Sequence, residues 1–89
     1  KMKKDALFIN TSRGNVVDEE ALAWALNNDI IAHAAVDVVS KEPMEKDNVL
    51  LKAKNIIITP HIAWAPIEAR TRLIKIVSKN LQKWLQEPL

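Results

Sequence analysis

Ala6-Leu7-Phe8-Ile9-Asn10-Thr11-Ser12-Arg13-Gly14 sets the architecture. A continuous apolar run stops at an amide, and two hydroxyls, a cation and the chain's single glycine follow at once. A run that is apolar at successive positions rather than alternate ones reads as a strand buried on both faces. Gly14 supplies the turn that leaves it. Asp18 is then an N-cap, with Glu19 and Glu20 placed to favour the positive end of a helix. Ala21, Leu22, Ala25 and Leu26 form the apolar stripe of that helix, which stops near Asn27-Asn28. Ile30 to Val38 returns as a second apolar strand, interrupted by His33 and terminated by Asp37. Strand, helix, strand is a βαβ unit with parallel strands, so the fold class is α/β.

Downstream, Val39 to Asn55 is long for a connection in a compact domain, and only Val49-Leu50-Leu51 offers a helical turn. Connections of that length are usually functional or disordered. Ile56-Ile57-Ile58-Thr59 is a third strand, β-branched throughout. Pro60-His61-Ile62-Ala63-Trp64-Ala65 follows, and Pro66 occupies a first helical position. Ile67, Ile74, Val77, Leu81 and Trp84 then mark one side of a helix of about five turns, ended by Pro88. A parallel sheet needs helices on both faces, yet one short and one long helix are all this chain supplies. The expectation is a piece of a larger protein, with residues 1–65 belonging to a sheet domain and residues 66–89 forming a C-terminal helix.

Composition narrows the function. At 89 residues the chain makes at most one small domain, and its charge of +2 is scattered rather than blocked. A nucleic-acid binder would show a denser basic stripe with interleaved aromatics, so no nucleic-acid partner is expected. With no cysteine there is no disulfide framework or thiol chemistry, which is compatible with a reducing compartment. The apolar runs are too short to span a bilayer. One glycine cannot build a glycine-rich phosphate loop. The acidic and histidine residues show no close histidine pair, so no metal site is expected.

Three side chains carry the chemistry. Arg13, Glu42 and His61 each fall just past the carboxyl end of a strand or in the long loop, and in open α/β sheets that edge is where ligands bind. Arg13 stays charged and can pair bidentately with a carboxylate; the bland alternative is an arginine that only ties down its own loop. His61 can give or take a proton near neutrality, and a nearby carboxylate favours its imidazolium. Glu42 and Glu45 are both candidates for that carboxylate. Asp37 ends an apolar strand, where a carboxylate is costly without a partner; a backbone amide, a structural histidine or a ligand's amide would serve. His33 reads as a core or edge histidine. Trp64 is placed to wall a pocket, and Trp24 and Trp84 read as packing residues.

Together the motifs Ile9-Asn10-Thr11-Ser12-Arg13-Gly14, Val17-Asp18-Glu19-Glu20-Ala21-Leu22, Ala35-Val36-Asp37-Val38, Glu42-Pro43 and Asn55 through Ile62 resemble the carboxyl-terminal half of the nucleotide-binding domain of D-isomer-specific 2-hydroxyacid dehydrogenases. Thr59-Pro60-His61-Ile62-Ala63-Trp64-Ala65 is most similar to the glycerate dehydrogenase or hydroxypyruvate reductase branch. The resemblance implies half of a Rossmann-type parallel sheet with a long C-terminal helix, cut from a two-domain enzyme, and that helix, residues 66–89, would return toward the absent substrate domain. It implies NAD or NADP as cofactor and a small 2-hydroxy or 2-oxo acid as substrate, in a cytoplasmic homodimer. Arg13 would grip the substrate carboxylate, His61 would be the acid–base, and Glu42 rather than Glu45 would support it. Asp37 would meet the nicotinamide carboxamide, and Thr11, Ser12, Arg13 and the segment His61, Ile62, Ala63, Trp64 would line the cofactor's nicotinamide end. Such a piece alone would be inactive.

Two other readings compete. C-terminal-binding-protein corepressors resemble these enzymes and keep the same arginine, glutamate and histidine while acting as dinucleotide-responsive interaction proteins. The other is a non-catalytic α/β module with coincidental charges, which Arg13 and His61 on opposite sides of the sheet would favour.

Overall fold

A computed structural model describes residues 1–87. Three strands, β1 (Leu7–Asn10), β2 (His33–Val36) and β3 (Ile56–Ile58), pair in parallel in that order. Asn10 is level with Val36, and Val36 with Ile58. The three carboxyl ends therefore make one even rim. Between β1 and β2 runs α1 (Glu19–Asn27), preceded by a 3-10 turn at Gly14–Val16. A second 3-10 turn, Val49–Lys52, is the regular part of the β2–β3 connection, and α2 (Ile67–Gln86) follows β3.

The start of α1 follows its sequence: Asp18 accepts from the Ala21 amide at 3.1 Å, satisfying one of the helix's free N–H groups. Its end explains why β2 is shorter than the Ile30–Val38 run suggested. The Ile30 amide donates to Ala25 O at 2.8 Å and the Asp29 amide to Leu26 O at 3.3 Å, with Asp29 left-handed at φ 56°. This is the double-bonded helix stop that usually takes a glycine. Ile30 is consumed in that cap, so the strand begins at His33.

One face of the sheet is a core. Ala34 and Val36 pack with Leu22, Ala23 and Leu26 of α1, with Ile31 and Val39, and with Leu50 of the second 3-10 turn. Leu26 and Leu50 are fully enclosed. The opposite face is open, which corrects the expectation of a first strand buried on both sides: Leu7 is 59% and Ile9 60% exposed, and Ile57 reaches 67%. His33 lies on that face, exposed at the start of β2, rather than in a core. Trp24 and Trp84 are also mostly exposed, so neither packs within these residues. No residue of α2 is buried, and the molecule is drawn out to 55 × 30 × 25 Å. The proposed stop at Pro88 lies outside the described residues.

Candidate active site

The rim of the sheet is built loop by loop. Asn10, the last residue of β1, is 6% exposed and fully engaged. Its side-chain oxygen accepts from the Ser12 amide at 3.0 Å and the Ser12 hydroxyl at 2.9 Å, while its amide group donates to Arg13 O at 3.0 Å. An asparagine bonding the backbone two and three residues on is a side-chain-made turn. It presents Thr11, Ser12 and Arg13 at the surface. The guanidinium of Arg13 donates one bond, from Nη1 to Ser12 O at 2.8 Å. Of its five N–H donors, most remain for a ligand.

The Arg13 loop is pressed against the loop leaving β2. Gly14 is buried, and a Cβ there would fall under 3.0 Å from Val39 C, Val39 O and Ser40 N, all backbone atoms. Its φ is not positive, so the position needs the absence of a side chain, not the turn freedom the sequence suggested.

Asp37 comes directly after β2 and is 5% exposed. Oδ1 accepts from the Thr59 hydroxyl at 2.6 Å and the Ile62 amide at 2.9 Å, and Oδ2 from the Ala63 amide at 2.9 Å. The Thr59 hydroxyl is the main cause that holds its carboxyl below the usual carboxylate range; burial opposes, and the Ala63 and Ile62 amides and His61 add to the lowering. Of the partners the sequence left open, backbone amides are present, joined by the Thr59 hydroxyl, which the sequence did not suggest. These bonds bind the end of β2 to the segment after β3 and close the turn that carries His61. In that turn His61 is left-handed at φ 58°, a region uncommon for residues other than glycine. Trp64 braces the same turn, its ring N–H donating to His61 O at 2.6 Å.

His61 Nδ1 lies 2.6 Å from Glu42 Oε2, with both side chains about a third exposed, at 38% and 34%. Facing a carboxylate, Nδ1 is a donor, so Nε2 is the ring nitrogen left for chemistry. Glu45 instead pairs with Lys41 at 2.8 Å. The choice between Glu42 and Glu45, open on residue type, is settled by geometry. Arg13, Gly14, Asn15, Val39, Ser40, Glu42 and His61 line one cleft of ≈ 360 Å³. Behind the pair, Asp37, Thr59 and His61 share a more enclosed cavity of ≈ 260 Å³ with the apolar Val39, Met44 and Ile58. Cation, acid and imidazole thus line one cleft, rather than taking the opposite-sided placement that would have favoured a non-catalytic module. Trp64 lines neither cavity.

The residues suit the nicotinamide end of a dinucleotide. Three of the Asp37 carboxylate's roughly four acceptor positions are taken, which leaves one on Oδ2 for an amide donor, and the Thr11 and Ser12 side chains are exposed beside it in sequence with Arg13. With Gly14 the single glycine, these residues supply no diphosphate loop. Among the described residues no group of three or more histidine or acidic side chains is placed to hold a metal ion, and no helix is long and apolar enough to cross a membrane.

Three residues matter more than the sequence suggested. Asn10 carries a readable signal, an amide at a strand end with serine two residues on. Glu19 and Asn48 carried none, because their bond at 3.2 Å spans distant parts of the chain.

Residues 1–63 match the model of the D-isomer specific 2-hydroxyacid dehydrogenase NAD-binding domain. Over 86 residues the chain is 51% identical to the hydroxypyruvate reductase of Blautia hydrogenotrophica, covering 97% of this chain and 27% of that protein. It is 44% identical to the glycerate dehydrogenase of Methylorubrum extorquens over 87 residues, 96% of this chain and 28% of the relative. Among solved structures, an acyclic imino acid reductase in complex with NADPH and D-Arg superposes with a TM-score of 0.74 at 36% identity, covering 97% of this chain and 27% of the other. The chain thus spans little more than a quarter of the length of these relatives.

Proposed function

Since the chain belongs to the D-isomer-specific 2-hydroxyacid dehydrogenase family, we propose that it is the carboxyl-terminal part of the nucleotide-binding domain of a two-domain, NAD- or NADP-dependent enzyme. That enzyme interconverts a D-2-hydroxy acid and its 2-oxo acid. Residues 1–65 complete the parallel sheet, and residues 66–89 lead back toward the substrate domain. The open sheet face and the unburied α2 support that division. The single observation that carries the catalytic reading is the 2.6 Å contact between His61 and Glu42 in a cleft shared with Arg13.

Arg13 binds the substrate carboxylate through its planar fork and aims residual positive charge at the C2 oxygen. For that it releases or shares its bond to the Ser12 carbonyl. His61 donates a proton from Nε2 to that oxygen as negative charge develops there, and takes it back in the reverse reaction. A placed acid of this kind contributes about 10²–10⁴-fold. Glu42 orients the ring through Nδ1 and leaves Nε2 facing the substrate. Asp37, with Thr11, Ser12, Arg13, His61, Ile62, Ala63 and Trp64, holds the nicotinamide end of the cofactor. When bound, the nicotinamide supplies or accepts the hydride at C2.

Hydroxypyruvate and glyoxylate, with D-glycerate and glycolate as products, are the substrates we assign, supported by relatives named hydroxypyruvate reductase, glycerate dehydrogenase and glyoxylate reductase. The enzyme works as a homodimer in the cytoplasm, on a small molecule rather than a nucleic acid or a membrane. The isolated chain binds dinucleotide weakly and is inactive, since its residues grip one end of the cofactor. The test is turnover of a 2-oxo acid panel by the complete enzyme with reduced NAD and NADP. Hydroxypyruvate or glyoxylate reduction that collapses in His61→Gln is the expected result. A complete protein that binds dinucleotide tightly yet reduces none of the panel would instead favour the corepressor-like reading.

A further inference from the structure

The loop that carries Glu42 has little regular structure of its own, yet it must hold a carboxylate against an imidazole. Part of its anchorage comes from the start of α1. Glu19, the first residue of that helix, reaches across 21 residues to Ser40, accepting from its amide at 2.8 Å on Oε2 and from its hydroxyl at 2.6 Å on Oε1. The same Oε1 accepts from the Asn48 amide group at 3.2 Å, 29 residues away. Asn48 also caps the second 3-10 turn by accepting from the Leu50 amide at 2.9 Å, and Leu50 is buried in the core. One carboxylate therefore ties both ends of the segment 40–48 to the helix, and Glu42 sits two residues inside the first tie.

We propose that Glu19 is a positioning residue for the Glu42–His61 pair, acting through Ser40 and Asn48 to hold the loop so that Glu42 stays against Nδ1. The proposal rests on the functional reading above. A residue in the first turn of a helix has an alternative use, its charge favouring the positive helix end. Three bonds to one distant segment are more than that use requires. The helix cap itself is made by Asp18.

The test uses the complete enzyme with Glu19→Ala, Glu19→Gln, Asn48→Asp and, as reference, Glu42→Gln. Glutamine keeps an oxygen for the Ser40 amide and an N–H for the Ser40 hydroxyl. It removes the charge, however, and sets a donor against the Asn48 amide group, so only the Ser40 tie survives. Asn48→Asp keeps the cap on Leu50 and sets a second carboxylate against Glu19, without replacing any residue of α1. Two readouts are taken: the pH profile of 2-oxo acid reduction, and amide hydrogen exchange across residues 38–48. Glu42→Gln, which removes the carboxylate facing Nδ1, sets the reference displacement of the alkaline limb of kcat. The expectation is that Glu19→Ala and Asn48→Asp move that limb in the same direction as Glu42→Gln and lower kcat on the alkaline side about tenfold. KM for the 2-oxo acid, set by Arg13, changes little. Exchange across 38–48 quickens, and Glu19→Gln, which keeps the Ser40 tie and loses the Asn48 one, falls between the parent and Glu19→Ala in both readouts.

If Glu19→Ala fails to fold, Asn48→Asp decides alone. Wild-type profiles in Glu19→Ala and Asn48→Asp alongside a displaced one in Glu42→Gln overturn the positioning role and leave the pair intact. An undisplaced profile in Glu42→Gln overturns both. A Glu19→Gln variant as impaired as Glu19→Ala, with exchange across 38–48 unchanged, assigns Glu19 to the helix charge and also overturns the proposal.

Discussion

Gly14→Ala is the most informative single perturbation of the framework. The ordinary effect of replacing a glycine whose φ is not positive is a small gain in stability, about 0.4–1 kcal/mol, because the unfolded chain loses freedom. Here the new Cβ would enter the backbone of Val39 and Ser40 at under 3.0 Å, against 3.4 Å or more for ordinary contact, and the atoms it meets belong to no flexible side chain. The two loops must part by roughly an ångström or more, at a cost of about 1–3 kcal/mol of overpacking. The sign is therefore opposite to the ordinary one. The same displacement moves Arg13 away from Glu42 and His61, and misplacement by about 1 Å can cost about 10²-fold in rate. Urea unfolding read by circular dichroism, together with kcat/KM for a 2-oxo acid in the complete enzyme, measures both. A midpoint equal to or above the parent's, with undiminished kcat/KM, would show that the loops do not press together as described.

Other expectations follow from the same geometry. His61→Gln should lower kcat by about 10²–10⁴-fold in steady-state assays, with a far smaller loss of dinucleotide affinity by calorimetry. Arg13→Lys keeps the charge but loses the planar fork, so KM for the 2-oxo acid should rise about tenfold or more, and an unchanged KM would remove Arg13 from substrate binding. Asp37 is held below an ordinary carboxyl of 3.8 in the folded chain, chiefly by the Thr59 hydroxyl. Its contribution to stability is therefore present above that ordinary value and lost as pH falls through the lower folded one. Urea midpoints for Asp37→Asn should lie below the parent's at neutral pH, with the gap closing as pH falls below 3.8; a constant gap contradicts the assignment.

Much of the fold was legible because its signals are local. An acidic N-cap ahead of an apolar stripe gave α1, and β-branched isoleucines gave β3. Boundaries were less legible where a local rule had an exception. Asp29 takes a left-handed conformation usually left to glycine, so the helix stop at Ile30 looked like the beginning of a strand. Burial was misjudged on one face of the sheet, because periodicity reports that Leu7 and Ile9 are apolar but not whether these 89 residues contain anything to cover them. At the site, Arg13 and His61 could be placed by their distance from strand ends. The partner of His61 could not be chosen by residue type. Lys41 takes Glu45 and leaves Glu42 for the imidazole, a division that depends on the path of a loop with no periodicity. Glu19 stayed hidden for the same reason.

The central claim is that guanidinium and imidazole act on one bound molecule. A crystal structure of the complete enzyme with dinucleotide and oxamate tests it most directly. The account predicts the oxamate carboxylate on the Arg13 fork, the Arg13 Nη1 bond to Ser12 O weakened or gone, and the ligand's carbonyl oxygen within hydrogen-bonding distance of His61 Nε2. Oxamate bound away from this cleft, with Nε2 turned from it and Arg13 still closed on its own loop, would contradict it.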